Sequence, residues 1–167
     1  MMKNKLFLIF LAQSCLSFAS LEYELVRLHE VDKDAIVAWF ESDREIYNNL
    51  CLSHYSYTQN YLTDNYKYFV AKRLQDGCIQ GFVKYSFFHD TGTIEGLAVH
   101  KDVRKKGIGQ ALLSTVFQKH PRTNQWGLFV DPDNQQAISL YAKNGFLSKS
   151  YFGDDTMNYM ETSRYKE

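Results

Sequence analysis

One stretch limits the options of this chain more than any other: Val99-His100-Lys101-Asp102-Val103-Arg104-Lys105-Lys106-Gly107-Ile108-Gly109-Gln110-Ala111-Leu112-Leu113. A strand over Thr93 to Val99 ends there and a basic loop with two glycines follows. Ile108, Ala111, Leu112, Thr115 and Val116 then recur at the spacing of an amphipathic helix. A strand that enters a helix through such a loop aims the helix's first, unbonded N–H groups at one point, with the positive end of the dipole behind them. Gly107 and Gly109 let the main chain approach an anion without a Cβ in the way, and Arg104, Lys105 and Lys106 add positive charge. A diphosphate is the natural ligand of this arrangement. The glycine–lysine–hydroxyl ending of a P-loop is absent, as is the first glycine of a dinucleotide fingerprint. Taken alone, the segment also fits a basic loop before a solvated helix.

The surrounding chain reads as β-α-(α)-β-β-β-α-β-α-β-β. Tyr23 to Leu28 alternates as a first strand, and Asp32 is placed to cap a helix running through Trp39 and Phe40. A second helical stretch covers Asp43 to Leu50, and His54 to Tyr66 reads as loop or short helix. Lys67 to Leu74, Cys78 to Phe88 and Thr93 to Val99 form a meander through turns at Gln75-Asp76-Gly77 and His89-Asp90-Thr91-Gly92. In its long strand Ile79, Gly81, Val83, Tyr85 and Phe87 share one face. Trp126 to Val130 is the next strand and Gln135 to Lys143 a helix ended by Asn144-Gly145; Phe146 to Phe152 pairs with Thr156 to Thr162. The expected fold is α/β: a mixed, mostly antiparallel central sheet flanked by helices.

Two elements, in order and separated by one helix and one strand, resemble the GCN5-related N-acetyltransferase (GNAT) family. The first is Arg104-x-x-Gly107-x-Gly109 after Leu97-Ala98-Val99; the second is Asn134, Ala137, Ile138, Tyr141 and Gly145-Phe146. The resemblance covers Lys67 to Met160 and implies a sheet that splays after its central strand, with acetyl-CoA lying in the gap as cosubstrate and no metal. It further implies that main-chain groups of Leu97 and Val99 hold the pantetheine arm, and that the amides of Arg104, Lys105, Lys106, Gly107, Ile108, Gly109 and Gln110 hold the pyrophosphate. Asn134 then contacts the cofactor from the far side of the gap. The implied activity is N-acetyl transfer to a primary amine by direct attack; the alternative is a module that binds CoA without turnover.

For the chemistry, Tyr141 is the candidate general acid that protonates the departing thiolate, although its spacing from Ile138 equally suits a core aromatic. An amine of pKa ~10.4 is only about 0.04% free base at pH 7, so a proton acceptor is needed. Glu95 is the candidate base by its place two residues before Leu97, against the reading of a solvent-facing strand carboxylate; His100 is a second candidate. A backbone N–H near Leu97 to Val99 would stabilise the oxyanion. Tyr55, Tyr57, Tyr61 and Tyr66 fall where this family builds its acceptor wall.

Composition excludes more than it assigns. With 19 basic and 19 acidic residues among 167 the formal charge is zero, which disfavours nucleic acid or an anionic membrane as partner. The expected partner is an amine acceptor, small molecule or protein; oligomeric state is not readable. Lys3 and Lys5, the apolar run Leu6 to Ala12 and Ser17-Phe18-Ala19 make residues 1–19 a secretory signal peptide ahead of an acetyltransferase domain over 20–167. The apolar run is too short for stable membrane insertion. The leader implies export; without its use the protein is cytoplasmic. Cys51 and Cys78, the two cysteines beyond the leader, are expected to be separate thiols.

Overall fold

The computed structural model describes residues 23–28, 30–50, 66–150 and 157–163. The signal-peptide reading, Cys51 and the tyrosines at 55, 57 and 61 lie outside them. The elements are β1 (Tyr23–Arg27), α1 (Glu30–Ser42), α2 (Arg44–Asn49), β2 (Lys67–Arg73), β3 (Ile79–Phe88), β4 (Thr91–Val99), α3 (Ile108–Lys119), β5 (Gln125–Val130), α4 (Gln135–Lys143), β6 (Leu147–Lys149) and β7 (Asn158–Ser163). They build one sheet in the order β1-β2-β3-β4-β5-β7-β6. Every pairing is antiparallel except that of β4 with β5.

That exception shapes the site. The two strands pair only through Thr91, Gly92 and Thr93 against Gln125, Trp126 and Gly127. Beyond these residues β4 continues for six positions, to Val99, and β5 for three, to Val130, with no pairing between them. The sheet therefore has two arms, and the expected splayed strand pair is β4 and β5.

Helices cover both faces of the first arm. On one face Phe69, Val83, Tyr85 and Ile94 pack with Leu112, Val116 and Phe117 of α3, and the same core takes in Trp126 and Leu128 of β5 and Tyr141 of α4. On the other, Val70, Phe82 and Ala98 pack with Ile36, Phe40 and Ile46 of α1 and α2. No helix among the described residues is long and apolar enough to cross a membrane.

Several local expectations need correcting. Asp32 sits inside α1, not at its cap; it is buried and its carboxylate pairs with Lys72 Nζ on β2 at 2.6 Å. A buried carboxylate needs such a partner, and the strand beneath supplies it. Asp43 holds the start of α2, its Oδ1 accepting from the amides of Glu45 and Ile46 at 3.2 and 3.3 Å. The turn before β4 is His89-Asp90, and Gly92 belongs to the strand, where a Cβ would come within 2.4 Å of the Trp126 ring. Ile79 does not share a face with Val83 and Tyr85: the register slips between Ala71 and Lys72, opposite Gln80, and Ile79 packs against the α1 cluster. One inserted residue reverses the facing of every residue beyond it. Phe87 is exposed, with its ring 4.2 Å from that of His120.

Candidate active site

The loop from His100 to Gly107 opens with a short 3-10 turn over Lys101–Val103 and then takes left-handed backbone twice, at Lys105 (φ 62°) and Gly107 (φ 85°). For a lysine that conformation costs about 1 kcal/mol or more, and the structure around it has to hold it. Alternating hands along the loop turn successive N–H groups to one side. Gly107 is the N-cap of α3 and caps nothing with a side chain, so the first amides of the helix have no partner within it. At Gly107 a Cβ would meet nothing within 4 Å, which leaves open space before those amides.

Gly109 serves a different purpose from the one its sequence position suggests. It is buried, and a Cβ there would lie 3.0 Å from Leu140 of α4 and 3.6 Å from Leu97 of β4. The glycine lets α3 sit tightly between the parted strand and α4.

Arg104 is likewise committed. Its Nε donates to the Val99 carbonyl at 3.1 Å, and its Nη1 lies 2.6 Å from Glu45 Oε1 on α2. The side chain braces the loop against α2, and the Arg104 contribution toward an anion is the loop geometry it fixes. Gln110 is similar, its amide exchanging bonds of 2.7 and 3.0 Å with Asn144 at the end of α4. Asn134 caps α4, its Oδ1 accepting from the Ala137 amide at 3.1 Å.

On β4 the main chain has two distinct edges. The His100 amide donates to Gln80 on the β3 side at 2.8 Å. By the alternation of an antiparallel ladder, the main-chain groups of Leu97 and Val99 point the other way, into the gap toward β5. Among the described residues no strand pairs with them there.

A cavity of about 1020 Å³ fills this gap. Glu95, Leu97, Val99, Arg104, Lys105, Gly107, Ile108, Gly109, Gln110, Asn134 and Tyr141 all line it. Ile108 is buried with its side chain in the α3 core, so its contribution is its amide. Lys106 is exposed and not among the lining residues. His100 lies elsewhere: its ring stacks on Trp39 at 5.8 Å and lines a separate groove beside α1.

Glu95 owes its direction to a second bulge. In the register of β3 with β4, Lys84 faces Gly96 and Tyr85 faces Ile94, so Glu95 is the inserted residue. Its carboxylate accepts from Ser86 Oγ at 2.7 Å. The bulge lets Ile94 and Leu97 both pack toward the α3 core, and it puts Glu95 on the α2 side of the sheet, at the point where the arms part. Period-two alternation misses this, because the extra residue has no sequence signature of its own.

Tyr141 is buried, and that burial pushes its phenol well above the usual tyrosine value. Its hydroxyl has no hydrogen-bond partner among the described residues. A phenol of this kind is protonated throughout the physiological range and is available as a proton donor. Lys84, on the same face as Ser86 and Glu95, is 1% exposed, with Nζ 4.0 Å from the centre of the Tyr66 ring. Burial pulls its pKa down to about 8, partly offset by the charge of Glu95. The lysine within the apolar run Phe82 to Tyr85 was the sequence signal for this group, and Glu45 had none.

A family model described as the Acetyltransferase (GNAT) family matches residues 29–146. The chain belongs to the GNAT acetyltransferase family. Among curated relatives, streptothricin acetyltransferase A of Bacillus subtilis (strain 168) is 34% identical over 88 residues, 52% of this chain and 49% of that protein. The chain thus matches about half the length of that relative. The solved ribosomal-protein-S18-alanine N-acetyltransferase of Escherichia coli superposes with a TM-score of 0.68 at 18% identity, covering 87% of this chain and 96% of that one. The PaiA N-acetyltransferase of Thermoplasma acidophilum, solved in complex with coenzyme A, gives 0.70 at 19% identity, covering 85% and 99%. These solved structures share the GNAT fold with this chain, a mixed and mostly antiparallel sheet with flanking helices.

Proposed function

We propose that this protein transfers an acetyl group from acetyl-CoA to a primary amine by direct attack. The observation that carries the reading is the single cavity running from the uncapped amides of α3 through the parted strands to Tyr141 and Glu95. The residues fit acetyl-CoA on their own chemistry: unpartnered helix-start amides beside Lys105 suit a diphosphate, and the β4 edge at Leu97 and Val99, which no strand pairs among the described residues, suits the amides of a pantetheine arm. Glu95, directly or through a water, takes a proton from the acceptor ammonium. The amine nitrogen then bonds to the thioester carbon and loses its second proton to solvent, and the C–S bond breaks to leave the neutral amide. Tyr141 gives its proton to the departing thiolate, and the main-chain N–H of Leu97 or Val99 stabilises the oxyanion on the way. Solvent later restores the proton on Tyr141 and takes the one held by Glu95. No covalent enzyme intermediate is required. Among the described residues no group of three or more His, Cys, Asp or Glu side chains converges on a point.

A thiol-release assay with acetyl-CoA and a panel of amines tests the reading. Coenzyme A thiol and acetylated amine should appear in equal amounts. Acetyl-CoA that binds but is never consumed would mark a CoA-binding module in place of an enzyme. We also propose that residues 1–19 direct export, with 20–167 as the acetyltransferase domain. Cell fractionation with N-terminal sequencing decides between this and a cytoplasmic protein that keeps its first residues.

A further inference from the structure

Arg104 fastens the loop before α3 at two places. Its Nε donates to the Val99 carbonyl at the end of β4, and its Nη1 pairs with Glu45 Oε1 on α2. The next residue, Lys105, holds left-handed backbone that a lysine leaves unless its surroundings retain it. The two Arg104 bonds are retaining contacts of that kind.

The helix at the other end of the pair is slight. α2 has six residues, under two turns, too few to hold a helix without tertiary contacts. Asp43 Oδ1 accepts from the Glu45 and Ile46 amides at its start, and Ile46 buries its side chain in the α1 cluster. Past its end the Leu50 amide donates to the Ile46 carbonyl at 3.0 Å. Glu45 adds the tie to the loop, across 59 residues of chain.

α2 is also cavity wall: Glu45, Ile46 and Leu50 line the same space as Arg104, Lys105 and Gly107. It packs on the face of the sheet opposite to α3. With a diphosphate at the start of α3, α2 stands on the side left for an acceptor that approaches the thioester.

We propose, on the basis of the acetyl-transfer reading above, that Glu45 is a positioning residue which, through Arg104, couples the cofactor loop to the acceptor-side wall. Coenzyme A binds the loop in the shape that brings its amides together, and in that shape Arg104 reaches Glu45. The bound cofactor therefore steadies α2, and by reciprocity a steadied α2 favours the cofactor. The coupling amounts to about fivefold at most, the ceiling for a partly solvated ion pair.

Hydrogen exchange of the full chain, read by mass spectrometry with and without saturating coenzyme A, tests the coupling. In the wild type, coenzyme A should slow exchange at the start of α3. It should also slow exchange over residues 44–50, by about two- to fivefold. Glu45→Ala should keep the first effect and lose the second. Asp43→Ala frays α2 but leaves the pair in place, so coenzyme A should still slow exchange over 44–50. Slowing there that persists in Glu45→Ala, or is absent from the wild type or from Asp43→Ala, overturns the coupling while acetyl transfer stands. Faster exchange there with coenzyme A overturns it too, because the diphosphate would then be drawing Arg104 off Glu45. A wild type in which coenzyme A slows neither segment overturns the cofactor reading, and the coupling with it.

Discussion

Tyr141 and Phe146 are tied twice: the Phe146 amide donates to the Tyr141 carbonyl at 3.1 Å, and the two rings meet edge to face with centres 5.7 Å apart. Between them Gly145 takes φ 86° and its amide donates to the Ala142 carbonyl at 3.0 Å. This is a Schellman ending, the left-handed glycine closing the last carbonyls of α4. The Tyr-x-x-x-Gly-Phe spacing is thus a way of stopping a helix so that a buried phenol is fixed at the cavity wall.

Removing only that hydroxyl isolates its role. Tyr141→Phe should lower kcat by about a hundredfold, the lower end of what a positioned general acid contributes. Acetyl-CoA affinity and thermal stability should hardly change, because the hydroxyl has no partner among the described residues. Stopped-flow or steady-state turnover beside a melting curve measures both. Because burial raises the phenol's pKa, Tyr141 should cause no loss of activity on the alkaline side up to pH 9.

Glu95→Gln should reduce kcat/KM for the amine most at low pH. As pH rises toward the acceptor's own pKa of ~10.4, more of it arrives as free base and a proton acceptor matters less. The ratio of wild-type to variant rates should therefore shrink between pH 7 and 9.5. A constant ratio would remove the base role.

The Arg104–Glu45 pair predicts a binding effect larger than its stability effect. Both side chains are partly solvated, and such a pair is worth at most about 1 kcal/mol to the fold. Arg104→Ala also loses the bond to the Val99 carbonyl and should weaken acetyl-CoA binding by about tenfold. Glu45→Ala should weaken it less, and the double variant should bind no worse than Arg104→Ala alone. Additive losses would show that Glu45 acts independently of the loop.

Lys84 should leave a signature in the pH dependence of stability. Its folded-state pKa of about 8 lies below the ordinary lysine value, so between roughly pH 8 and pH 10.4 the unfolded chain binds more protons than the folded one. Stability from this group consequently rises with pH across that window, and the cost of burying its charge is felt in full below it. In denaturant titrations, wild-type stability should gain on that of Lys84→Met between pH 7.5 and 10. Parallel curves would show that the burial of the charge is compensated throughout.

The sequence made some of this plain and hid the rest for definite reasons. Helix α3 was readable because its buried face repeats with the helical period, and the end of α4 because glycine is the residue that a left-handed terminus wants. Two features depend on register, which no local pattern carries: the bulge that turns Glu95 toward the α2 side, and the slip opposite Gln80 that sends Ile79 to the α1 cluster. Asp32 deceived because a capping residue type in a helical run says nothing about the lysine on the next strand, β2, that pairs with it. The same holds for Arg104, whose partner Glu45 is 59 residues earlier.

The central claim is that the uncapped start of α3 grips the diphosphate of acetyl-CoA. Isothermal titration of acetyl-CoA into the full chain and into Gly107→Glu tests it most directly. A carboxylate at a φ of 85° both strains the loop and sets negative charge before the amides. The account predicts saturable binding at one site per chain in the wild type and none in a folded Gly107→Glu. Equal affinity in the two proteins, or no saturation in the wild type, would contradict it.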